Sequence, residues 1–188
     1  MAAEKLIPVR FQKNHAQRLD VQAFRCGNKP HETPLADWIK NRALEELSFR
    51  TKIWLYEREG ENGQRQLVGY GSRKKCRIEK NEEDGSITKI KVLEIPMLAV
   101  HEDFQGCPKV VEDKEDKFSR QIVRHLQQMA RVDLAEGQGI EPLLTLYVHP
   151  NAEPAQRLYI ACGFTAVDRY FPDKTTGANL RGMVYKLD

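Results

Sequence analysis

Over Lys5 to Phe11 the side chains alternate with a period of two: Leu6, Pro8 and Arg10 fall on one side, Ile7, Val9 and Phe11 on the other. This predicts a first strand, and Pro8, which cannot donate to a ladder, assigns it to a sheet edge. From Asn14 to Pro34 the chain is irregular, with Cys26-Gly27-Asn28-Lys29-Pro30 as a strong turn signal. The period then becomes helical. Leu35, Trp38, Ile39, Ala43, Leu44 and Leu47 form one stripe, with Thr33 as N-cap, Pro34 at the first helical position and an end near Ser48. Ile53 and Leu55 set against Trp54 and Tyr56 predict a strand over Thr51 to Glu57, and Arg65 to Ile78 returns beside it as a hairpin. After a turn at Asp84-Gly85, Ile87 to Val100 forms a third antiparallel strand. Pro96 lies inside it, so either that side has no partner or the strand is bulged there, and a bulge in a central strand usually serves a ligand.

Phe118, Ile122, Leu126 and Met129, with Val123 and Ala130 beside them, predict a helix that runs to about Glu136 and stops at Gly137-Gln138-Gly139. Leu143 to Val148 is almost continuously apolar, as a parallel strand buried on both faces requires. Strand, helix and strand imply a right-handed crossover. Asn151 caps a further helix, with Pro154 in its first turn and a stop at Gly163, and Phe164 to Tyr170 pairs with Asn179 to Leu187 around a turn at Pro172 to Gly177. The expected fold is α/β of the α+β kind: a mixed, mostly antiparallel sheet of six to seven strands covered by helices on both faces.

The length of 188 residues fits one domain over 1–188 with a single core. Hydrophobic residues at 40% and charged residues at 30% describe an ordinary globular chain, and no apolar run approaches the ~18 residues of a membrane helix. No membrane partner is expected. The start, Met-Ala-Ala-Glu-Lys-Leu-Ile-Pro, lacks the basic and long apolar regions of an export signal, and the scattered Cys26, Cys76, Cys107 and Cys162 read as reduced thiols, so a cytoplasmic location is expected. The net charge of +3 is small, but Arg73-Lys74-Lys75-Cys76-Arg77 concentrates positive charge.

The organising stretch is Glu94 to Gly106, an apolar run ending in a charged turn and Gln105-Gly106, followed by the helix near Phe118. Strand, glycine turn and helix start can present backbone N–H groups to an anion. Leu67-Val68-Gly69-Tyr70-Gly71, Leu98 to Gly106, and Leu146-Tyr147-Val148-His149-Pro150-Asn151 with Ala155, Leu158-Tyr159 and Gly163-Phe164 occur in an order that resembles the GNAT superfamily of N-acetyltransferases. The resemblance implies a splayed parallel pair at the sheet centre, with acetyl-CoA in the opening between the strands ending at Val100 and Val148. Leu98, Ala99 and Val100 would meet the pantetheine, Asn151 would hydrogen-bond on the pantetheine side, and Gln105, Gly106, Ser119, Arg120 and Gln121 would hold the pyrophosphate. No metal is implied. In place of the second glycine usual after Gln105-Gly106 stand Cys107-Pro108 and an acidic insertion, Lys109 to Lys117. Either this segment loops outward and Phe118-Ser119-Arg120-Gln121 rebuild the cradle, or cofactor affinity is reduced or lost and the chain is a degenerate GNAT-fold module that binds a partner or an acyl group without turnover.

The resemblance assigns Tyr159 to the acid that protonates the departing thiolate, and Glu94, in a strand pattern similar to the histone-acetyltransferase branch, to the base that deprotonates the amine through water. Period-two geometry puts Glu94 on the face of Pro96, Leu98 and Val100 unless a bulge shifts it; otherwise Glu94 pairs with Lys89 or Lys91. Cys107 has no base to activate it as a nucleophile. Phe24-Arg25-Cys26-Gly27 and Leu35-Ala36-Asp37-Trp38-Ile39 look like the start of a toxin-like branch that acetylates aminoacyl-tRNA, with Ala36 where that branch carries an acid. The acceptor is then a small-molecule, protein or peptide amine, or an aminoacyl-tRNA, for which Arg73, Lys74, Lys75 and Arg77 would contact phosphates. A homodimer is compatible with this reading.

Overall fold

In the computed structural model, the long strand expected up to Val100 is divided at Pro96. The structure describes residues 5–48, 50–60, 62–82, 84–107, 117–137, 139–172 and 179–188. Pro108, the acidic run 109–116 and most of the turn expected at 172–177 lie outside the described residues. The elements are β1 (Ile7–Arg10), α1 (Leu19–Gln22), α2 (Thr33–Asp37), a π-helical turn (Trp38–Arg42), α3 (Ala43–Glu46), β2 (Thr51–Glu59), β3 (Arg65–Asn81), β4 (Ile87–Ile95), β5 (Leu98–Val100), α4 (Phe118–Glu136), β6 (Leu143–Val148), α5 (Glu153–Ala161), β7 (Thr165–Pro172) and β8 (Asn179–Lys186). Eight strands replace the expected six to seven because β4 and β5 are separate.

The chain divides into two compact units, the first holding the residues up to Ser72 with Met97–Arg124 and the second Arg73–Pro96 with His125–Asp188. In the first, β1, β2 and β3 are neighbours in that order, β1 is the edge that Pro8 predicts, and β5 pairs with β3. The two faces of β3 are covered differently. Tyr70 stacks on Trp38 with ring centroids 5.5 Å apart, meets Phe24 edge-on, and donates its hydroxyl to the carbonyl of Leu35 at 2.6 Å. On the other face, a Cβ on Gly69 would lie 2.5 Å from the Ala99 carbonyl oxygen and 3.0 Å from Ile122 Cδ1, so only glycine lets α4 approach. Helices therefore lie on both faces, as expected.

The helix expected from Thr33 forms, but its N-cap is Glu32, without a side-chain cap hydrogen bond. The amides of Glu32 and Thr33 already donate to the Lys29 carbonyl at 2.8 and 3.1 Å, so the turn supplies the ordering that a Thr33 cap would have given. In the middle, the π turn lets Trp38 and Ile39 both bury, with the Trp38 indole N–H donating to Glu46 Oε1 at 2.9 Å.

In the second unit the neighbours run β3-β4-β6-β8-β7. β4 and β6 are parallel, from Leu93↔Leu144 to Ile95↔Leu146, with α4 in the connection between them, whereas β6–β8 and β7–β8 are antiparallel. This is the mixed sheet that the continuous apolar run Leu143 to Val148 calls for. Arg73 and Asp133, both buried, form an ion pair between β3 and α4. Gln127 Nε2 donates to the Cys162 carbonyl at 2.8 Å, anchoring the end of α5 to α4.

Candidate functional site

β4 pairs with β3 through Lys74↔Glu94, whereas β5 pairs through Gly71↔Leu98, so three residues, Ile95-Pro96-Met97, oppose two, Ser72-Arg73. This is the bulge that Pro96 predicts. It shifts the alternation by one: Lys74 faces Glu94, but Tyr70, an even position on the same strand, faces Ala99. Glu94 thus does not continue the alternation of Leu98 and Val100.

The first unit contains most of the residues assigned to the cosubstrate. His101 N–H donates to the Val68 carbonyl at 2.7 Å and Ser72 N–H to the Met97 carbonyl at 2.8 Å. In an antiparallel pair, hydrogen-bonded and non-hydrogen-bonded positions alternate, so Ala99 turns its backbone groups to Tyr70 while Leu98 and Val100 turn theirs to the opposite edge of β5. That edge is what a ligand with strand-like amides would meet. The Val100 carbonyl also accepts from Gln105 Nε2 at 3.3 Å, and the same amide donates to the Cys26 carbonyl at 2.7 Å. Gln105 therefore fastens the turn, and Gly106, at φ +78°, occupies the left-handed region that favours glycine.

Of the described residues that flank the insertion, Phe118 N–H donates to the Cys107 carbonyl at 2.9 Å. The path of residues 108–116, on which the two alternatives differ, lies outside the described residues. The amides of Arg120 and Gln121 donate to the Lys117 carbonyl at 2.8 and 3.0 Å, and Gln121 Oε1 accepts from the Leu6 amide at 3.0 Å. Of the four amides in Phe118-Ser119-Arg120-Gln121, three thus have backbone acceptors. What the helix start offers an anion is the Ser119 position, the positive end of α4 and the side chains of Arg120 and Arg124.

The second unit contains Glu94, Asn151 and Tyr159. Glu94 is buried, and its Oε1 lies 3.3 Å from Nζ of Lys74, which is its partner rather than Lys89 or Lys91. Cys76, two positions along β3, lies diagonally across from Glu94 on the same face of the ladder. Burial, then the charge and hydrogen bond of Glu94, push its thiol up to about 12. Tyr159 is buried on α5 beside Phe164, whose ring is edge-on at 5.8 Å, and burial, with a smaller contribution from Cys162, raises the phenol above its ordinary value of 10. Asn151 is exposed and does not cap α5; Ala152 stands there, while the Asn151 amide donates to His149 Nδ1 at 3.1 Å. Gln156 ties the turn instead, through Nε2 to the Pro150 carbonyl at 2.7 Å.

Arg73 belongs to the buried ion pair with Asp133 and Lys74 to Glu94, which removes both from the expected phosphate-binding run. Lys75 and Arg77 remain exposed, and the register Arg77↔Lys91 and Glu79↔Lys89 sets two more exposed lysines on their face. The sequence did not reveal Lys74 and Cys76 as partners of Glu94, because the pairing depends on a register that no local pattern encodes. Among the described residues no group of three His, Cys, Asp or Glu side chains could hold a metal ion, and no helix is long and apolar enough to cross a membrane.

A mixed sheet with a parallel β4–β6 pair, a bulge before β5 and a helix between β5 and β6 is a GNAT-like fold. No protein-family model matches the chain, and no curated protein matches it in sequence. Solved structures do match. A tyrosine-to-phenylalanine variant of the toxin AtaT, bound to the C-terminus of the antitoxin AtaR and acetyl-CoA, is 16% identical, with a TM-score of 0.62 over 96% of this chain and 92% of that one. A tyrosine-to-phenylalanine variant of KacT is 15% identical, at 0.66 over 97% and 95%. AtaT complexed with acetyl-methionyl-tRNAfMet is 16% identical, at 0.59 over 94% of each chain. The chain therefore shares the fold of these solved structures.

Proposed function

We propose that the protein is an N-acetyltransferase that moves an acetyl group from acetyl-CoA to a primary amine by direct attack, with residues 1–188 acting as one catalytic domain. The observation that carries this reading is the edge of β5, where Leu98 and Val100 direct backbone groups away from β3. Pantetheine amides can hydrogen-bond there as an added strand would, next to the turn at Gln105-Gly106 and the start of α4. Solved structures of the same fold with acetyl-CoA bound support the cosubstrate.

In this mechanism, the neutral amine attacks the thioester carbonyl, a C–N bond forms and the C–S bond breaks. Glu94 takes the amine proton through water, and the Tyr159 hydroxyl gives a proton to the departing thiolate. That phenol is protonated at neutral pH, as a donor must be, and burial raises it further above its ordinary value.

A second reading narrows the acceptor to the amino group of an aminoacyl-tRNA. It is favoured by the solved complex of AtaT with acetyl-methionyl-tRNAfMet and by the exposed cations Lys75, Arg77, Lys89 and Lys91. Labelled acetyl-CoA presented with a panel of free amines, peptides and charged tRNAs tests both. Label transfer to any of them is expected; transfer to free amines alone removes the tRNA reading, and hydrolysis without transfer removes both.

A further inference from the structure

Glu94 is held by two groups that the proposed chemistry does not otherwise use. Lys74 lies directly across the β3–β4 ladder, with its ammonium 3.3 Å from the carboxylate, and Cys76 lies diagonally across on the same face of β3. On its other side Glu94 is aligned with Thr145 of β6, whose hydroxyl is already engaged, donating to the Leu93 carbonyl at 3.3 Å. The Glu94 side chain is 11% exposed and that of Lys74 36%, so the carboxylate sits inside the sheet surface while the ammonium reaches out over it. Along the row Lys74, Glu94 and Thr145, continued by Val184 of β8, the only charges are those of Lys74 and Glu94.

We propose that Lys74 and Cys76 are positioning residues for Glu94: the ammonium fixes one carboxylate oxygen and the thiol donates a second hydrogen bond. The remaining lone pairs are then held toward the water that relays the amine proton. This rests on the reading of Glu94 as the base. Three observations support it. A buried carboxylate without partners is costly, and here both partners are donors, so neither competes for the proton that Glu94 must accept. Cys76, pushed up to about 12, stays a thiol at working pH and can act only as a donor toward the carboxylate. Both come from β3, a continuous strand paired with β4, and neighbours fixed by a strand ladder limit the wandering of the carboxylate they face.

The test compares Glu94→Gln, Lys74→Met, Lys74→Arg and Cys76→Ala by steady-state kinetics with acetyl-CoA and whichever acceptor the panel reveals. Lys74→Met is expected to lower kcat by on the order of tenfold to a hundredfold while leaving the KM for acetyl-CoA unchanged. Lys74→Arg should restore most of the loss, and Cys76→Ala should lower kcat severalfold. Alkylation of Cys76 by iodoacetamide, followed by peptide mapping, reads the contact without turnover: Glu94→Gln removes the neighbouring charge and should accelerate it. If Glu94→Gln abolishes turnover while Lys74→Met and Cys76→Ala retain the wild-type kcat, the positioning role is overturned and the base survives. If Glu94→Gln itself turns over normally, the base reading is wrong and this inference falls with it. An alkylation rate unchanged in Glu94→Gln contradicts the thiol contact.

Discussion

Burial acts on the Tyr159 phenol in two ways, and they pull in opposite directions. It holds the proton in place to higher pH than in an exposed phenol, and it makes the phenol a weaker acid, so the thiolate must form close enough to take the proton directly. Tyr159→Phe should therefore retain acetyl-CoA affinity and lose about a hundredfold in kcat, read as the rate of CoA thiol release. Turnover at the wild-type rate would remove its acid role. His125 gives a pH dependence of a different origin. Burial, and after it the Arg73 guanidinium, hold its imidazole below the ordinary 6.5. The unfolded chain thus binds more protons between the folded and unfolded values, so stability at this site is full above 6.5 and is lost as pH falls from there. Urea unfolding at about pH 7.5 and about pH 5.5 should show a drop that is smaller in His125→Gln, and equal drops would contradict it. At this scale the sequence was least legible. Thr33 and Asn151 both have cap chemistry, yet neighbouring amides or residues took the positions, and whether a polar side chain caps, fastens a turn or waits for a ligand depends on distances of a few tenths of an ångström.

Among the elements, the broken strand β4–β5 carries the account. Pro96 signalled a bulge from sequence because it lacks an N–H, and the shift from Lys74↔Glu94 to Gly71↔Leu98 places it there. Which side chains the extra residue moves to which face depends on the ladder register on either side of it, which no local pattern encodes. The consequence was that Glu94 parted from the alternation of Leu98 and Val100. Gly69 tests the support of β5. A methyl group there would meet the Ala99 carbonyl at 2.5 Å, and backbone cannot yield as a flexible side chain does. Gly69→Ala should cost about 1–3 kcal/mol in urea unfolding and weaken acetyl-CoA binding by displacing β5. Normal stability together with normal binding would show that the β3–β5 spacing is unimportant.

For the whole molecule, alternation and apolar runs made the order of strands and helices legible, including the one parallel pair, because a strand buried on both faces cannot hide its composition. The acidic insertion was visible as an anomaly but not its consequence, since the path of residues 108–116 lies outside the described residues. Acetyl transfer requires the protein to bind acetyl-CoA despite lacking a second glycine after Gln105-Gly106. Calorimetric titration of the full chain with acetyl-CoA, paired with thermal unfolding at the same concentrations, is the most direct measurement. Saturable one-site binding and a stabilisation of about 2.7 kcal/mol at 100 times Kd are expected. The absence of heat and of any thermal shift at millimolar acetyl-CoA would contradict it.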